Sequence, residues 1–280
     1  MSDRPTAFLE ALGYPEQPFG MFYTDTEPES GFVPEEGAAF SFEMEQRGEV
    51  DYAALFRNWS CVMGKIWLAR KKNSAAYFEA TRFGCIGGSF YLGFHRPQLE
   101  FISYFVSTGI PGRIDGERYL PSPEVTRRFF TEVAPRPAPA RFCVFKPLGM
   151  FKENEKPEVV SFFARGEVMS GLCTLATFVT EDFEAVGSPF GAGCSHIVTW
   201  PLHYLKQGRM KAVLGGWDPS ERKFLKTDEM TFSIPYEMYL LFLERWEKSF
   251  LLSETWAGVK KKIEGGRRTT DVGGQRTERG

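Results

Sequence analysis

The chain lacks several of the patterns that usually announce a chemistry. No two of its five cysteines are separated by only two residues, so neither a ferredoxin-type nor a zinc-ribbon-type CxxC is present. Histidine occurs three times, which leaves few candidates for a general base. There is no GxxxxGK[ST], and no GxGxxG follows an apolar strand, so a nucleotide-binding fold is unsupported. Charge of either sign is nearly balanced at a net −2, which provides no basic field for nucleic acid. No apolar run approaches the roughly 18 residues of a membrane span. The opening MSDRPTAFLEALG carries Asp3, Pro5 and Glu10 where a secretory leader needs apolar residues. The expectation is a cytoplasmic protein with neither nucleic-acid nor membrane partners, whose thiols stay reduced.

What is present fits a globular chain. Its 280 residues, 42% apolar and 25% charged, are enough to bury a sizeable core as one domain or two interlocked halves. Phenylalanine is used 27 times, which suggests a core or pocket wall rich in flat aromatic surface. An odd number of cysteines suits thiols or metal ligands better than a disulfide framework.

Apolar runs at residues 19–24 (FGMFYT), 142–146 and 159–164 (VVSFFA) read as strands, as do 38–43, 99–108, 211–214 and 230–234. Residues 61–72, 125–133 and 167–177 read as helices. A further amphipathic helix opens at Pro235, with Met238, Leu241, Phe242, Trp246 and Phe250 on one stripe. Asn58 or Ser60 can cap the first of these, which puts Cys61 near a helix N-terminus, where a thiolate is favoured. The proline-spaced stretch APRPAPA at residues 134–140 is the best seam. The expected fold is α+β, a compact domain over residues 1–265 built of two pseudo-repeated halves, 15–133 and 141–262. Residues 266–280, with Val272 alone as an apolar residue, read as a disordered tail.

Two stretches echo each other. Residues 183–201 (FEAVGSPFGAGCSHIVTWP) and 78–94 (FEATRFGCIGGSFYLGF) both begin Phe-Glu-Ala, pass through Phe-Gly, and set one cysteine in a glycine-rich turn. Each is preceded by a helix carrying one cysteine: Cys61 stands 24 residues before Cys85, and Cys173 stands 21 before Cys194. A duplication places these four thiols about a pseudo-twofold axis.

The segments CVMGKIWLAR, RFGCIGGSFYLG, PFGAGCSHIVTWP and AVLGGWDPSERKFLKTDEMTFSIPYEMY together resemble the DUF169 family, over about residues 19–256. The family is uncharacterised, so the resemblance implies no activity. It implies one compact unit with cysteines recurring at the positions of Cys61, Cys85 and Cys194. Cys173 is outside that pattern, and at His196 the family more often carries a small residue.

The thiols point to a cysteine-ligated iron–sulfur cluster in electron transfer, redox sensing or accessory redox work, served by a redox partner or small-molecule ligand yet to be identified. Soft thiolates select iron–sulfur, zinc or Cu(I) centres. The expected ligands are Cys61, Cys85 and Cys194, with Cys173 as the possible fourth. Backbone N–H groups at Gly84, Gly87, Gly88, Gly191 and Gly193 could approach the cluster sulfides. Three cysteines leave one iron open to substrate or a non-thiol ligand. The competing class is a binding module with structural cysteines, whose aromatic pocket takes an apolar or tetrapyrrole ligand. In it Met63, His95, His196 and His203 offer axial ligands to haem or a corrinoid. Cysteines filling core, and a Cys194–His196 nucleophile pair, are the remaining readings. Asp218, Arg222 and Asp228 are assigned to turn and strand-edge structure.

Overall fold

A computed structural model describes residues 4–33, 47, 61–80, 85–96 and 99–274. The strand expected at residues 38–43, the capping residues 58 and 60, and Gly84 lie outside the described residues.

The architecture is α+β. A seven-stranded sheet runs in the order β2-β5-β1-β6-β9-β8-β7. Its strands are β1 (Phe19–Thr24), β2 (Ala76–Glu79), β5 (Phe142–Pro147), β6 (Val159–Arg165), β7 (Val186–Gly187), β8 (Ala212–Gly215) and β9 (Glu229–Pro235). All neighbours are antiparallel except β7 and β8, so the sheet is mixed. Strands β3 (Gly109–Ile110) and β4 (Ile114–Asp115) form a separate small hairpin. The helices among the described residues are α1 (Arg4–Leu12), α2 (Val62–Lys72), α3 (Ile86–Tyr91), α4 (Leu99–Val106), α5 (Pro123–Glu132), α6 (Gly166–Thr180), α7 (Trp200–Lys206), α8 (Tyr236–Arg245) and α9 (Glu254–Gly274).

The period of two along β6 divides the interior into two cores. Val159 and Phe163 face one side with Phe19, Met21, Cys143 and Phe145, covered by α2, α3 and residues 194–198. Val160, Phe162 and Ala164 face the other, covered by α1, α6 and α8. Each face removes large aromatic and aliphatic side chains from water, at roughly 1.5–3 kcal/mol for each fully buried side chain.

The proline-spaced stretch is not a domain seam. Strand β5, which follows it, inserts between β1 and β2 of the preceding half, so residues on both sides of it build one sheet. The supposed pseudo-twofold also does not reach the helices. Helix α2 packs on the first face and α6 on the second, so the two cysteine-bearing helices lie on opposite sides of the sheet.

A further expectation is corrected. Residues 99–108 are not a strand: Leu99–Val106 is helical. Ile102, Phe105 and Val106 pack together into the first core at spacings of three and four, the helical repeat. A short run this apolar carries no alternation to tell the two apart. Helix α9 extends to Gly274, into the stretch read as a tail. That helix is anchored at its start. Trp256, Val259 and Ile263 pack on the second core, and the Trp256 indole donates to the Ala11 carbonyl at 2.9 Å.

Candidate functional site

Three segments distant in sequence meet on the first face of the sheet. Cys61 is the residue before α2, with extended backbone angles that end the helix there. Cys85 holds the same place before α3, and its sulfur accepts the Gly88 N–H at 3.2 Å. Cys194 directly precedes a single π-helical turn, Ser195–Thr199, which runs on into α7. Pro201 lies in the first turn of α7, directly after the π-helical turn.

These thiols share one environment. Cys85 and Cys194 are buried in the first core, and Cys61 packs against it. Burial pushes the Cys194 thiol well up, and the neighbouring Cys85, Cys61, Asp218 and Glu221 push it further. The helix N-terminus does not make Cys61 a ready thiolate. Burial raises that thiol and outweighs the N–H groups of Gly64 and Met63. Cys173 is not brought to the group: it packs against the second core, across the sheet. Cys143 is fully buried on β5 beside the Tyr23 hydroxyl, which donates to the Leu92 carbonyl at 2.8 Å.

The loop before Cys194 is held by side chains that follow it. Trp200 donates to the Phe190 carbonyl at 2.9 Å, and the Ser195 hydroxyl to the Ala192 carbonyl at 2.6 Å. Gly191 has φ +152, and a Cβ there would stand 2.2 Å from Ser195 Oγ, so only glycine serves. Gly193 is required for a different reason. A Cβ on it would lie 1.8 Å from Glu221 Oε2 and 2.8 Å from Met63 Cγ. The Glu221 carboxyl therefore rests directly on the backbone next to Cys194. Gly87 has open space around it, with only Tyr91 at 4.0 Å.

Glu221 is the residue that sequence reasoning passed over. It sits in the charged run SERK and looks like surface, yet it is 1% exposed. Burial, and then Asp218, push its carboxyl up to about 8, against the backbone at Asp218 and Gly216 and the Arg222 charge. Neither of its oxygens has a well-formed hydrogen bond among the described residues. His196 faces it. The Nε2 of that ring lies 3.0 Å from the Pro189 carbonyl, so Nε2 carries the proton and Nδ1 is left as an acceptor. Nδ1 has no partner either, and stands 3.9 Å from Glu221 Oε1. Burial lowers the imidazole and raises the carboxyl, so the two face each other as neutral groups and not as an ion pair. The Trp217 indole packs on His196 at 5.1 Å, and its own N–H is buried without a partner.

The loop bearing Glu221 is held by structural contacts of the residues around it. Asp218 accepts from the Ser220 N–H at 3.0 Å and from its hydroxyl at 2.7 Å. Arg222 donates to the carbonyls of Gly216, Glu229, Lys226 and Thr227 at 2.6–2.9 Å. Asp228 pairs with Arg165 at 3.0 Å.

The histidines are engaged separately. His95 Nδ1 lies 2.6 Å from Ser89 Oγ, and His203 Nε2 lies 2.9 Å from Gln207 Nε2. Of Met63, His95, His196 and His203, only His203 lines an open cleft of about 900 Å³, whose walls also carry Tyr23, Arg136, Glu158 and Lys206. Tyr91 lines that cleft too, and feels the charges of Cys194, Asp218 and Cys85. Among the described residues no three of His, Cys, Asp or Glu are arranged to hold a single metal ion, and no helix is long and apolar enough to cross a membrane.

The chain belongs to the DUF169 family, described as an uncharacterised ArCR group, which it matches over residues 7–245. No curated protein matches it, and no solved structure does.

Proposed function

We propose that this DUF169 protein holds an iron–sulfur cluster on Cys61, Cys85 and Cys194 and uses it in electron transfer, redox sensing or accessory redox chemistry. The observation that carries the reading is spatial. Cys85 and Cys194 are buried in one core and Cys61 packs against it, although the three come from segments far apart in the chain. A single tetrahedral ion with metal–sulfur bonds of about 2.3 Å needs its thiolates in mutual contact. A polynuclear cluster takes a wider set, with iron and sulfide between the cysteines. The donor set also fits in chemistry. It is soft, it is shielded from water, and one of its sulfurs already accepts a backbone N–H, the kind of contact that tunes cluster potential. Burial keeps the thiols protonated, and a bound iron centre would displace those protons.

When bound, the cluster supplies one-electron redox chemistry. The chain's own residues would bury it and hold its thiolates, with Tyr91 lining the cleft on one side and Glu221 and His196 among the neighbouring polar groups. The test is anaerobic preparation followed by iron and acid-labile sulfide analysis and an absorption spectrum. Broad absorbance near ~400 nm that bleaches on reduction, with iron and sulfide in equal amounts, is expected of a thiolate-held cluster. Cys194→Ala should lose both. Colourless wild-type protein that takes up neither element overturns the reading.

A further inference from the structure

The proline-spaced stretch at residues 134–140 does not separate domains, so its stiffness serves something else. Ala134, Pro135 and Arg136 form part of the wall of the open cleft of about 900 Å³. That wall is fixed in place. The Ala138 N–H donates to the Gly93 carbonyl at 2.9 Å, and a Cβ on Gly93 would stand 2.2 Å from the Arg136 carbonyl oxygen. Val198 and Thr199 line the cleft from the π-helical turn, and the Thr199 hydroxyl donates to the Tyr91 carbonyl at 2.9 Å. Such turns are rare and occur frequently at functional sites. Pro157 and Glu158 come from the turn before β6, where the Glu158 N–H donates to the Met21 carbonyl at 2.7 Å. The cleft is therefore largely formed before anything enters it, as ligand sites usually are.

Its lining combines two kinds of group. Tyr23, Tyr91, Pro157, Val198 and Leu202 supply buried or half-buried apolar surface, while Arg136, Lys156, Lys206, Glu132 and Glu237 are exposed. Internal pairs cancel part of the charge: Arg136 is held by Glu158 at 2.5 Å, and Glu132 lies 4.0 Å from Arg128. Lys156 Nζ stands 5.9 Å over the Tyr236 ring. Among the described residues no ion pair takes Lys156, Lys206 or Glu237, so two positive charges are left against one negative. Burial, and then Lys206, lower the His203 imidazole, which stays neutral.

We propose that this cleft binds a small organic monoanion with a flat apolar body, an aryl carboxylate being the simplest case. The tyrosine and proline walls suit a ring, which gains from aromatic contact. Lys156 and Lys206 are point charges on flexible stems that meet the carboxylate. Glu237 leaves a single positive charge in excess, which favours a monoanion over a phosphate ester. Among the described residues no cysteine lines the cleft, so the inference stands apart from the cluster reading.

The probe is naphthoate, titrated by calorimetry into the full chain, with naphthalenemethanol as its uncharged counterpart. Wild type should bind naphthoate saturably at one site, and the alcohol several-fold more weakly. Naphthyl phosphate, with its second charge, should bind no more tightly than naphthoate. Lys156→Ala and Lys206→Ala, both at exposed positions, should each weaken naphthoate several-fold and leave the alcohol unchanged. Leu202→Trp, which fills the cleft, should abolish binding of both. Absence of saturable naphthoate binding, equal affinity for acid and alcohol, or binding indifferent to both lysines overturns the proposal, as does binding that survives in a folded Leu202→Trp. Should Leu202→Trp fail to fold by circular dichroism, the two lysine variants decide alone.

Discussion

Raising the pH from 5 to 8 is expected to cost wild type on the order of 3–4 kcal/mol more than it costs Glu221→Gln. The sign follows from proton counting. The Glu221 carboxyl titrates near 4.5 when unfolded and at about 8 when folded. Between those values the folded state holds a proton that the unfolded state has released, so stability falls as pH rises. The contribution is fully present below 4.5 and gone above about 8. The groups that face this carboxyl are Asp218, His196, Arg222 and the thiols of Cys61 and Cys194. The thiols are raised from values near 9, so they titrate above the window. The histidines are lowered by burial and act with the opposite sign, which is why the difference between variant and wild type is the quantity to read. Urea midpoints at the two pH values supply it. Parallel pH dependence in the two proteins would show that Glu221 is solvated or paired in solution.

Truncating Glu229 to alanine is expected to destabilise the protein by roughly 3–5 kcal/mol, the usual cost of stranding a buried charge. Arg70, near the end of α2, meets Glu229 in a two-pronged pair at 2.8 and 2.9 Å, with both side chains more than nine-tenths buried. Its guanidinium also lies 4.0 Å over the Phe163 ring. Removing Glu229 leaves that guanidinium with Glu16, which is 37% exposed and a weaker partner. Glu16→Ala should cost less than about 1 kcal/mol, as expected of a partly exposed pair. The effect reaches the site, because α2 carries Cys61 at its other end and Glu229 opens β9 just after the Glu221 loop. Equal and small losses for both variants, by chemical denaturation, would mean that the α2–β9 tie bears little of the stability.

Much of the frame was legible in the chain. Strands β1, β5, β6 and β9 are apolar runs bounded by turn residues, and their burial matches that reading. Leu99–Val106 was not, because eight residues with two phenylalanines, a tyrosine and two β-branched residues satisfy both strand and helix until packing chooses. The Phe-Gly…Cys turns singled out Cys85 and Cys194, and the helix before the first turn Cys61, three residues that the fold brings to one core. The same echo misled at Cys173. Likeness along the chain does not specify which face of the sheet a helix covers, and α6 went to the other one. Glu221 carried no local signal at all. Its burial arises from the Arg222 contacts that hold its loop and from the missing side chain at Gly193, and neither is visible in a run of charged residues.

The most direct test of three thiols sharing one site is a panel of single Cys→Ser variants at 61, 85, 143, 173 and 194, each reconstituted anaerobically and assayed for iron and acid-labile sulfide. The arrangement predicts that the substitutions at 61, 85 and 194 abolish or sharply reduce uptake, while those at 143 and 173 leave it at the wild-type level. Uptake that survives loss of Cys194, or that depends on Cys173 across the sheet, would contradict it.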